Sequence, residues 1–284
     1  MLKEHELTLQ RYRELEPTLN VDAVVVGSGI MGLMIAKRLS DLGQQVAVLE
    51  PQHTFAYGAS IKNHGWLHRG TAHSISIKDK EEARGVVQKL IYGYEYLRSY
   101  AYECIEEPFE PVYVLTEDEE LAARAGWIWS EVGVDNELVA RQKFLEMDQH
   151  ISRESRFHIF KTQDLKINNR MLFKKLVSDI SRSGGIVLKD VKYDYESEES
   201  LSISAGESSC RLKADTFIYA TGANLNSQYQ KLTGEDLSIS YWKSHLIYIS
   251  RFNPYSIVSL DRNLPIIINH LETSVINRAY DEVQ

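Results

Sequence analysis

The sequence has little cysteine and no long hydrophobic run, and each shortage argues against a class of protein. The only two cysteines, Cys104 and Cys210, lie far apart and lack metal-ligand spacing. This pattern predicts buried, reduced thiols of a cytoplasmic protein and argues against a disulfide framework or a zinc site. No stretch reaches the roughly 18 consecutive apolar residues of a membrane-spanning helix. We therefore expect no metal site and no transmembrane segment.

An excess of positive charge is also missing. The chain carries 32 Lys and Arg against 40 Asp and Glu, which gives a formal net charge of −8. Nucleic acid and anionic membranes attract basic surfaces, so this balance argues against either as the main partner. Residues 1–20 are too charged for a secretory signal, and we expect them to form an N-terminal arm.

A glycine motif near the N-terminus is the most informative feature that the sequence does contain. Three valines precede Gly27, Gly29 and Gly32, and a second apolar run then ends in Glu50. In a strand–turn–helix–strand unit, the first glycine permits a tight turn, the second admits a pyrophosphate and the third lets the helix pack closely. Phosphate is attracted to the helix N-terminus, and the acid accepts hydrogen bonds from a ribose. The motif predicts dinucleotide binding, with a ligand-free glycine turn as the alternative.

Periodicity in the rest of the chain predicts both helices and strands. A helix is expected over 81–102, and Thr116 with Glu119 is typical of a capping box that opens another. A further helix is expected to start after Asn168 and to end at a pair of glycines. Four closely spaced strands are interpreted as a β-meander that leads into a strand over 216–222. The four strands are expected at 186–188, 192–195, 201–204 and 209–213.

Three further segments narrow the choice of dinucleotide. They are the loop GASIKNHGWLHRG at 58–70, the helix–Gly–Gly–strand unit that is followed by Asp190 and Val191, and the strand end IYATGA at 218–223. Together with the first motif, they resemble the D-amino-acid oxidase superfamily of FAD-dependent oxidoreductases over about residues 21–245. That family includes glycine and sarcosine oxidases, L-2-hydroxyglutarate dehydrogenase and glycerol-3-phosphate dehydrogenase.

The resemblance implies an α/β fold with two domains, which a length of 284 residues also suggests. One would be a Rossmann-like FAD-binding domain with a parallel sheet and a β-meander, assembled from 21–80 and 153–237. The other would be a smaller α+β substrate domain with a mostly antiparallel sheet, assembled from 81–152 and 238–284.

The resemblance also implies FAD contacts at each motif. The glycine turn would hold the pyrophosphate, and the acid that ends the second strand would hold the ribose. The 58–70 loop would run along the pyrophosphate and the isoalloxazine side. The backbone after the Gly–Gly unit would meet the adenine, and the last strand end would pass close to the flavin. The implied cofactor-binding residues are Gly27, Ser28, Gly29, Ile30, Met31, Gly32, Glu50, Pro51, Ala59, Ser60, Asn63, His64, Gly65, Val191, Ala220, Thr221 and Gly222.

Some of these residues have a plainer interpretation. Ser60 and Asn63 are common turn residues, and Thr221 with Gly222 also fits an ordinary exit from a strand.

The candidate catalytic residues are His68, His64 and Arg69. His68 resembles a histidine that follows the second flavin motif in L-2-hydroxyglutarate dehydrogenase, and a histidine beside the flavin can act as general base. A covalent link to the flavin is a further interpretation, and His64 could take the same place. Arg69 could hold a substrate carboxylate through its planar fork. Structural loop histidines and a structural arginine are the alternatives.

The resemblance predicts an FAD-dependent oxidoreductase that removes a hydride from the carbon bearing the amine or hydroxyl of a small amino acid or 2-hydroxy acid. Relatives continue into a C-terminal strand and helix around the flavin, whereas this sequence stops at Gln284. We therefore expect a chain shortened at its C-terminus, with weaker FAD binding or self-association into a homo-oligomer. A catalytically incomplete flavin-binding relative or interaction module is the alternative function.

Overall fold

The computed structural model describes residues 18–63, 65–71, 73–77, 79–106, 111–147, 156–162, 164–239, 245–249, 255–259, 267–268 and 273–277. The helices within these residues are α1 (Ile30–Asp41), α2 (His73–Ser76), α3 (Lys80–Tyr100), α4 (Glu119–Glu131), α5 (Arg141–Met147), α6 (Asn169–Arg182) and α7 (Leu225–Thr233). The strands are β1 (Thr18–Val26), β2 (Val46–Glu50), β3 (Trp66–Leu67), β4 (Val112–Thr116), β5 (Asn136–Leu138), β6 (His158–Thr162), β7 (Leu165–Lys166), β8 (Ile186–Lys189), β9 (Lys192–Ser197), β10 (Ser200–Ala205), β11 (Ser208–Tyr219), β12 (His245–Ile249), β13 (Ser256–Ser259), β14 (Ile267–Ile268) and β15 (Thr273–Asn277).

The chain forms two compact units, each built from two separate stretches of sequence. The first unit comprises 1–63 and 169–241, and the second comprises 64–168 and 242–284. These boundaries differ from those of the predicted domains, because 64–80 and 153–168 belong to the second unit. The physical reason is the antiparallel pairing of β3 with β7, which joins the segment after residue 63 to the segment before residue 169.

The first unit is built on a six-stranded sheet with the order β8-β2-β1-β11-β10-β9. The four strands from β8 to β11 are parallel, and β10 and β9 continue the sheet antiparallel. Val24, Val25 and Val26 are fully buried in β1, as expected for a strand of a parallel sheet that is covered on both faces. The predicted Rossmann-like fold with a parallel sheet and a β-meander is confirmed.

The meander itself is shorter than predicted, because β8 does not belong to it. β8 pairs with β2 in parallel, at the opposite edge of the sheet from β9. This placement follows from the helix before it, since α6 carries the chain over the sheet as a crossover connection requires. The segments 209–213 and 216–219 form one strand, β11, whose first half pairs with β10 and which runs beside β1 along its length.

The second unit contains a five-stranded sheet with the order β14-β13-β4-β6-β5. Its pairs are antiparallel except for β13 with β4, which agrees with the predicted mostly antiparallel sheet. The helix α4 begins one residue after Asp118, whose carboxylate accepts the amide of Leu121. The predicted capping box was therefore wrong in its cap residue. Thr116 lies at the end of β4, and its hydroxyl accepts the Asp118 amide instead.

Candidate functional site

The glycine turn between β1 and α1 leaves no room for side chains at two of its three glycines. Gly27 has a φ of +105°, and a Cβ there would lie 2.5 Å from the carbonyl oxygen of Ala220. A Cβ on Gly32 would lie 2.0 Å from the carbonyl oxygen of Gly27. At Gly29 the nearest heavy atom to such a Cβ is Ser60 Oγ at 3.2 Å. The protein itself therefore requires Gly27 and Gly32, whereas Gly29 leaves space above the helix end.

The N-terminus of α1 has the properties of an anion-binding site. Gly29 is its N-cap and offers no capping side chain, and the first turn contains no acid. The first amides of a helix have no partner within it, and the dipole makes this end positive. The Ile30 amide donates to Ser60 Oγ at 3.0 Å, which leaves the hydroxyl hydrogen of Ser60 able to donate to a phosphate. Met31, in the same turn, is 66% exposed.

Glu50 ends β2 as a buried carboxylate that holds the glycine turn. Its Oε2 accepts the Ser28 hydroxyl at 2.6 Å and the Ser28 amide at 3.1 Å, and its Oε1 accepts the Gln52 amide at 2.9 Å. A carboxylate offers about four acceptor positions, so one remains for a ribose hydroxyl. The next residue, Pro51, is exposed at the start of the following loop.

The segment after β8 is tied to the same place. The Val191 amide donates to the Glu50 carbonyl at 3.3 Å, and the Asp190 amide donates to the Gln52 carbonyl at 3.1 Å. Val191 is buried, and Asp190 has a φ of +57°. The predicted adenine contact therefore falls to the Val191 carbonyl, because its amide already has a partner in the protein.

The end of β11 faces the glycine turn. The Ala220 amide donates to the Val26 carbonyl at 2.8 Å, and Gly222 has a φ of +58°. Between them, Thr221 has a buried Oγ1 without a hydrogen-bond partner among the described residues. A buried hydroxyl is normally satisfied, so this atom fits a polar ligand group at the sheet edge.

These features fit the diphosphate and ribose of a dinucleotide. The diphosphate would be held by the positive helix end and the Ser60 hydroxyl. The ribose would be held by Glu50, and the Thr221 hydroxyl is available to a further polar group of the ligand. All of them lie in the first unit.

The 58–70 loop is divided between the two units. Asn63 donates to the carbonyls of Ser60 at 2.7 Å and Ala59 at 3.3 Å, and it accepts the Asn169 amide group at 2.8 Å. It therefore closes the turn, which is the plainer interpretation of this residue. Gly65 belongs to the second unit, where its carbonyl accepts the Ile167 amide.

None of the three predicted catalytic residues belongs to the first unit. His64 lies outside the described residues, whereas His68 and Arg69 lie in the second unit.

His68 is the centre of a hydrogen-bonded cluster in the second unit. Its Nδ1 lies 3.2 Å from Asp164 Oδ2, and the hydroxyl of Thr71 donates to the same oxygen. The Arg69 amide donates to Asp164 Oδ1 at 2.9 Å. The Asp164 side chain is 1% exposed and that of His68 is 16% exposed. A carboxylate in this position holds a proton on Nδ1 and leaves the basic lone pair on Nε2.

The ionisation of Asp164 depends on the same contacts. Burial alone would raise its pKa, but the hydrogen bond and charge of His68, with the bonds from Thr71 and the Arg69 amide, outweigh burial and lower the pKa below its usual value. The cluster therefore contains a buried carboxylate that is ionised at neutral pH and is hydrogen-bonded to His68.

The guanidinium of Arg69 lies against an aromatic ring. Its Cζ is 5.3 Å from the ring centroid of Tyr94, and its Nε is buried without a hydrogen-bond partner among the described residues. Burial raises the pKa of the Tyr94 hydroxyl, and the positive charge of Arg69 lowers it in part. Asp135 Oδ2 lies 3.9 Å from Arg69 Nη1, and the Asp135 side chain is 92% exposed, so it neutralises the guanidinium only weakly. The arrangement leaves hydrogen-bonding capacity for an anion.

Sequence reasoning missed Asp164, Thr71 and Tyr94. Asp164 lies between β6 and β7, at a position where an acid is ordinarily solvated, and only its hydrogen-bond partner 96 residues earlier in the sequence reveals its role. Tyr94 lies on the periodic face of the predicted helix, where it was indistinguishable from a core residue. Both cysteines are buried, as expected.

Neither a membrane-spanning helix nor a metal site is found in the part of the chain that the structure describes. Its helices include none with the length and apolarity needed to cross a bilayer. Nor do its His, Cys, Asp and Glu side chains form a group of three or more that could ligate a metal ion.

Comparison with known proteins agrees with this geometry. Residues 22–280 match the sequence profile of the family described as FAD dependent oxidoreductase (DAO). Among curated proteins, one component of the anaerobic glycerol-3-phosphate dehydrogenase of Escherichia coli (strain K12) is 28% identical over 124 residues, which are 43% of this chain and 21% of that relative. The mitochondrial L-2-hydroxyglutarate dehydrogenase of Arabidopsis thaliana is 36% identical over 75 residues, 26% of this chain and 15% of that relative. The match thus spans about a fifth or less of these relatives' lengths.

Solved structures share the fold over most of the chain. L-proline dehydrogenase from P. horikoshii has a TM-score of 0.70 and 16% identity, covering 93% of this chain and 72% of its own. Glycine oxidase from Geobacillus kaustophilus has a TM-score of 0.68 and 18% identity, covering 91% and 70%. L-alpha-glycerophosphate oxidase from Mycoplasma pneumoniae, solved with FAD bound, has a TM-score of 0.68 and 15% identity, covering 93% and 73%. The chain belongs to the DAO family of FAD-dependent oxidoreductases.

Proposed function

We propose that this chain uses FAD to oxidise a C–N or C–OH bond of a small amino acid or 2-hydroxy acid. The observation that carries this proposal is the pair of adjacent residues His68 and Arg69. One is a histidine fixed by a buried carboxylate, and the other is a guanidinium with unfilled hydrogen-bonding capacity. The named relatives act on amino acids, 2-hydroxy acids or glycerol phosphates, which supports the substrate class.

The division of labour follows from the chemistry of the residues. FAD, when bound, would supply the acceptor for the hydride, which carries both electrons of the oxidation. The first unit would hold its pyrophosphate at the N-terminus of α1 and its ribose at Glu50. These contacts fix the cofactor but take no part in proton transfer.

His68 would take the proton from the substrate amine or hydroxyl. Asp164 accepts from Nδ1, so Nε2 is the atom that receives this proton, and the carboxylate stabilises the imidazolium that forms. Thr71 and the Arg69 amide hold the carboxylate in turn, which limits rotation of the imidazole. Asp164 is thus a positioning residue for His68.

Arg69 would bind the substrate carboxylate. Its planar fork suits bidentate binding, and the Tyr94 ring supports one face of the guanidinium. A carboxylate on Arg69 and an amine or hydroxyl near His68 describe the two ends of a small 2-amino or 2-hydroxy acid. The cytoplasmic location expected from the reduced cysteines stays a prediction.

The test is spectroscopic. The purified protein is saturated with FAD, freed of excess cofactor, and titrated anaerobically with glycine, L-proline, L-2-hydroxyglutarate and glycerol 3-phosphate. We expect bleaching of the flavin absorbance near 450 nm, as is usual for oxidised flavin on reduction by substrate, with one of the acids. A protein that binds FAD but is reduced by none of these compounds would contradict the proposed substrate class. A protein that stays colourless would contradict the proposed cofactor site.

A further inference from the structure

The first unit contains a cavity whose size suits a small molecule. Its volume is about 430 Å³, within the range of roughly 300–1,000 Å³ typical of small-molecule sites. It lies between the loop that follows β2 and the helix α6. Among the described residues, none of those assigned to FAD lines it.

The floor of the cavity is apolar. Phe173 and Val177, one turn apart on α6, are 5% and 2% exposed and face it from below. Phe55, Tyr57 and Ile61 supply further apolar surface from the loop. Flat aromatic walls favour a flat ligand, because offset stacking adds to the burial of apolar area.

The rim of the cavity is positively charged. Lys62, Arg170, Lys174 and Lys189 line it, and the described lining contains no acid. Lys62 Nζ lies 4.5 Å from the ring centroid of Tyr57, so its charge is held beside the aromatic wall. The rim is thus locally positive in a chain with a net charge of −8, and a positive potential at an opening attracts anions.

The basic residues of α6 fall into two groups, one paired with an acid and the other lining the cavity. Lys175 and Arg182 pair with Asp179 at 3.4 and 3.2 Å. Arg170 and Lys174, four residues apart, form no ion pair within the described residues and lie near the N-terminus of a helix that has no acid in its first turn. Like charges at this spacing, at the positive end of a helix, are unfavourable for the helix itself. A ligand of opposite charge would offset this repulsion.

We propose that this cavity binds a small amphipathic anion in addition to FAD, namely an aromatic ring system that carries a phosphate and has the size of a mononucleotide. The ring lies on Phe173 and Val177, and the phosphate meets Arg170 and Lys174. Several cations around one opening favour phosphate over a singly charged carboxylate, since a phosphate accepts more charge-assisted hydrogen bonds.

The experiment is calorimetric titration of the FAD-saturated protein with adenosine 5′-monophosphate, adenosine, inorganic phosphate and benzoate. We expect the mononucleotide to bind with one site and more tightly than any of the other three. The double variant Arg170→Ala/Lys174→Ala should lower its affinity about tenfold or more, as the loss of charge-assisted hydrogen bonds predicts. Arg182→Ala, at the other end of α6, is the matched control and should leave the affinity unchanged.

Three results would overturn the proposal. They are the absence of mononucleotide binding, binding that releases FAD, and binding that the double variant leaves intact. Tighter binding of benzoate would overturn the phosphate assignment. If the protein holds no FAD, the titration is repeated on it with Glu50→Ala as a second variant. The proposal then requires that Arg170→Ala/Lys174→Ala weaken mononucleotide binding and that Glu50→Ala leave it unchanged. The cavity proposal can therefore be tested even if the proposed function fails.

Discussion

The hydroxyl of Ser28 donates a 2.6 Å hydrogen bond to the buried carboxylate of Glu50, and the Ser28 amide donates to the same oxygen. The residue that would bind the cofactor ribose therefore also holds the glycine turn at the end of β1. The serine hydroxyl in turn accepts the amide of Ala56, a buried residue with a φ of +56°. Cofactor binding and the stability of the turn consequently depend on one side chain.

Replacing this acid should affect the protein even without FAD. Glu50→Ala leaves the buried donors of Ser28 and the Gln52 amide without their acceptor, so we expect the free energy of unfolding of the FAD-free protein to fall by about 1–3 kcal/mol. FAD affinity should fall in addition. Denaturant unfolding without and with FAD separates the two effects. Unchanged stability of the FAD-free variant would contradict the structural role.

The glycines of the turn should differ in their response to alanine. Gly29→Ala meets only the Ser60 hydroxyl at 3.2 Å, so the protein should fold normally and lose FAD affinity. Gly32→Ala places a methyl 2.0 Å from the Gly27 carbonyl oxygen, so it should destabilise the fold by about 1–3 kcal/mol or more. Thermal unfolding and flavin content of both variants provide the check. Equal melting temperatures for the two would contradict the difference.

Asp164 should give the protein a specific sensitivity to acid. Its folded-state pKa lies below the unfolded value of about 3.9, so its stabilising contribution is present above that pH and is lost as the pH falls through the folded-state pKa. Asp164→Asn should lower the melting temperature at pH 7 and flatten its decline below about pH 4. Melting curves from pH 2 to 7 test this. Parallel curves for the variant and the parent protein would contradict the lowered pKa.

His68 should affect turnover more than cofactor binding. If it takes the substrate proton, His68→Gln should lower kcat by about 10²- to 10⁴-fold, the usual contribution of a general base, while FAD content stays the same. His158→Gln, in β6 of the same unit, is the matched control. Stopped-flow measurement of the rate of anaerobic flavin reduction by the substrate tests this role. Reduction at the parent rate would rule out the assigned role of His68.

Arg69 should determine affinity for the substrate carboxylate. Arg69→Lys keeps the charge but loses the planar fork, so KM should rise about tenfold or more with a smaller change in kcat. Tyr94→Phe retains the ring under the guanidinium and should leave KM nearly unchanged. Steady-state kinetics with the substrate and with its decarboxylated analogue provide the measurement. An equal loss for the analogue would argue against carboxylate binding.

The parts of this architecture that depend on local sequence could be predicted. The buried valines of β1, the glycines and the acid that ends β2 lie within about thirty residues, and each has a short-range physical requirement. The strand β8 was assigned to the wrong partners because its sequence resembles any short buried strand, and only the crossover by α6 fixes its neighbour. Its pairing is a property of the whole sheet.

The cluster around His68 shows the same limit. The motif marks His68 as a candidate, but the carboxylate that positions it comes later in the chain, after four helices and three strands of the described residues. The contact exists because β3 and β7 pair. No periodicity or spacing in the sequence encodes that pairing, since each of these strands has only two residues.

The hydrogen bond between Asn63 and Asn169 has a consequence for how this chain is put together. These two residues are the points at which the backbone leaves the first unit and returns to it, and their side chains meet at 2.8 Å. Residues 64–168 therefore form a nested insertion whose ends are already side by side. A short glycine–serine bridge could span that gap, so excising the insertion should leave the cofactor-binding sheet with its strand order intact. The same closed gap is a natural place for circular permutation or for exchange of one insertion for another.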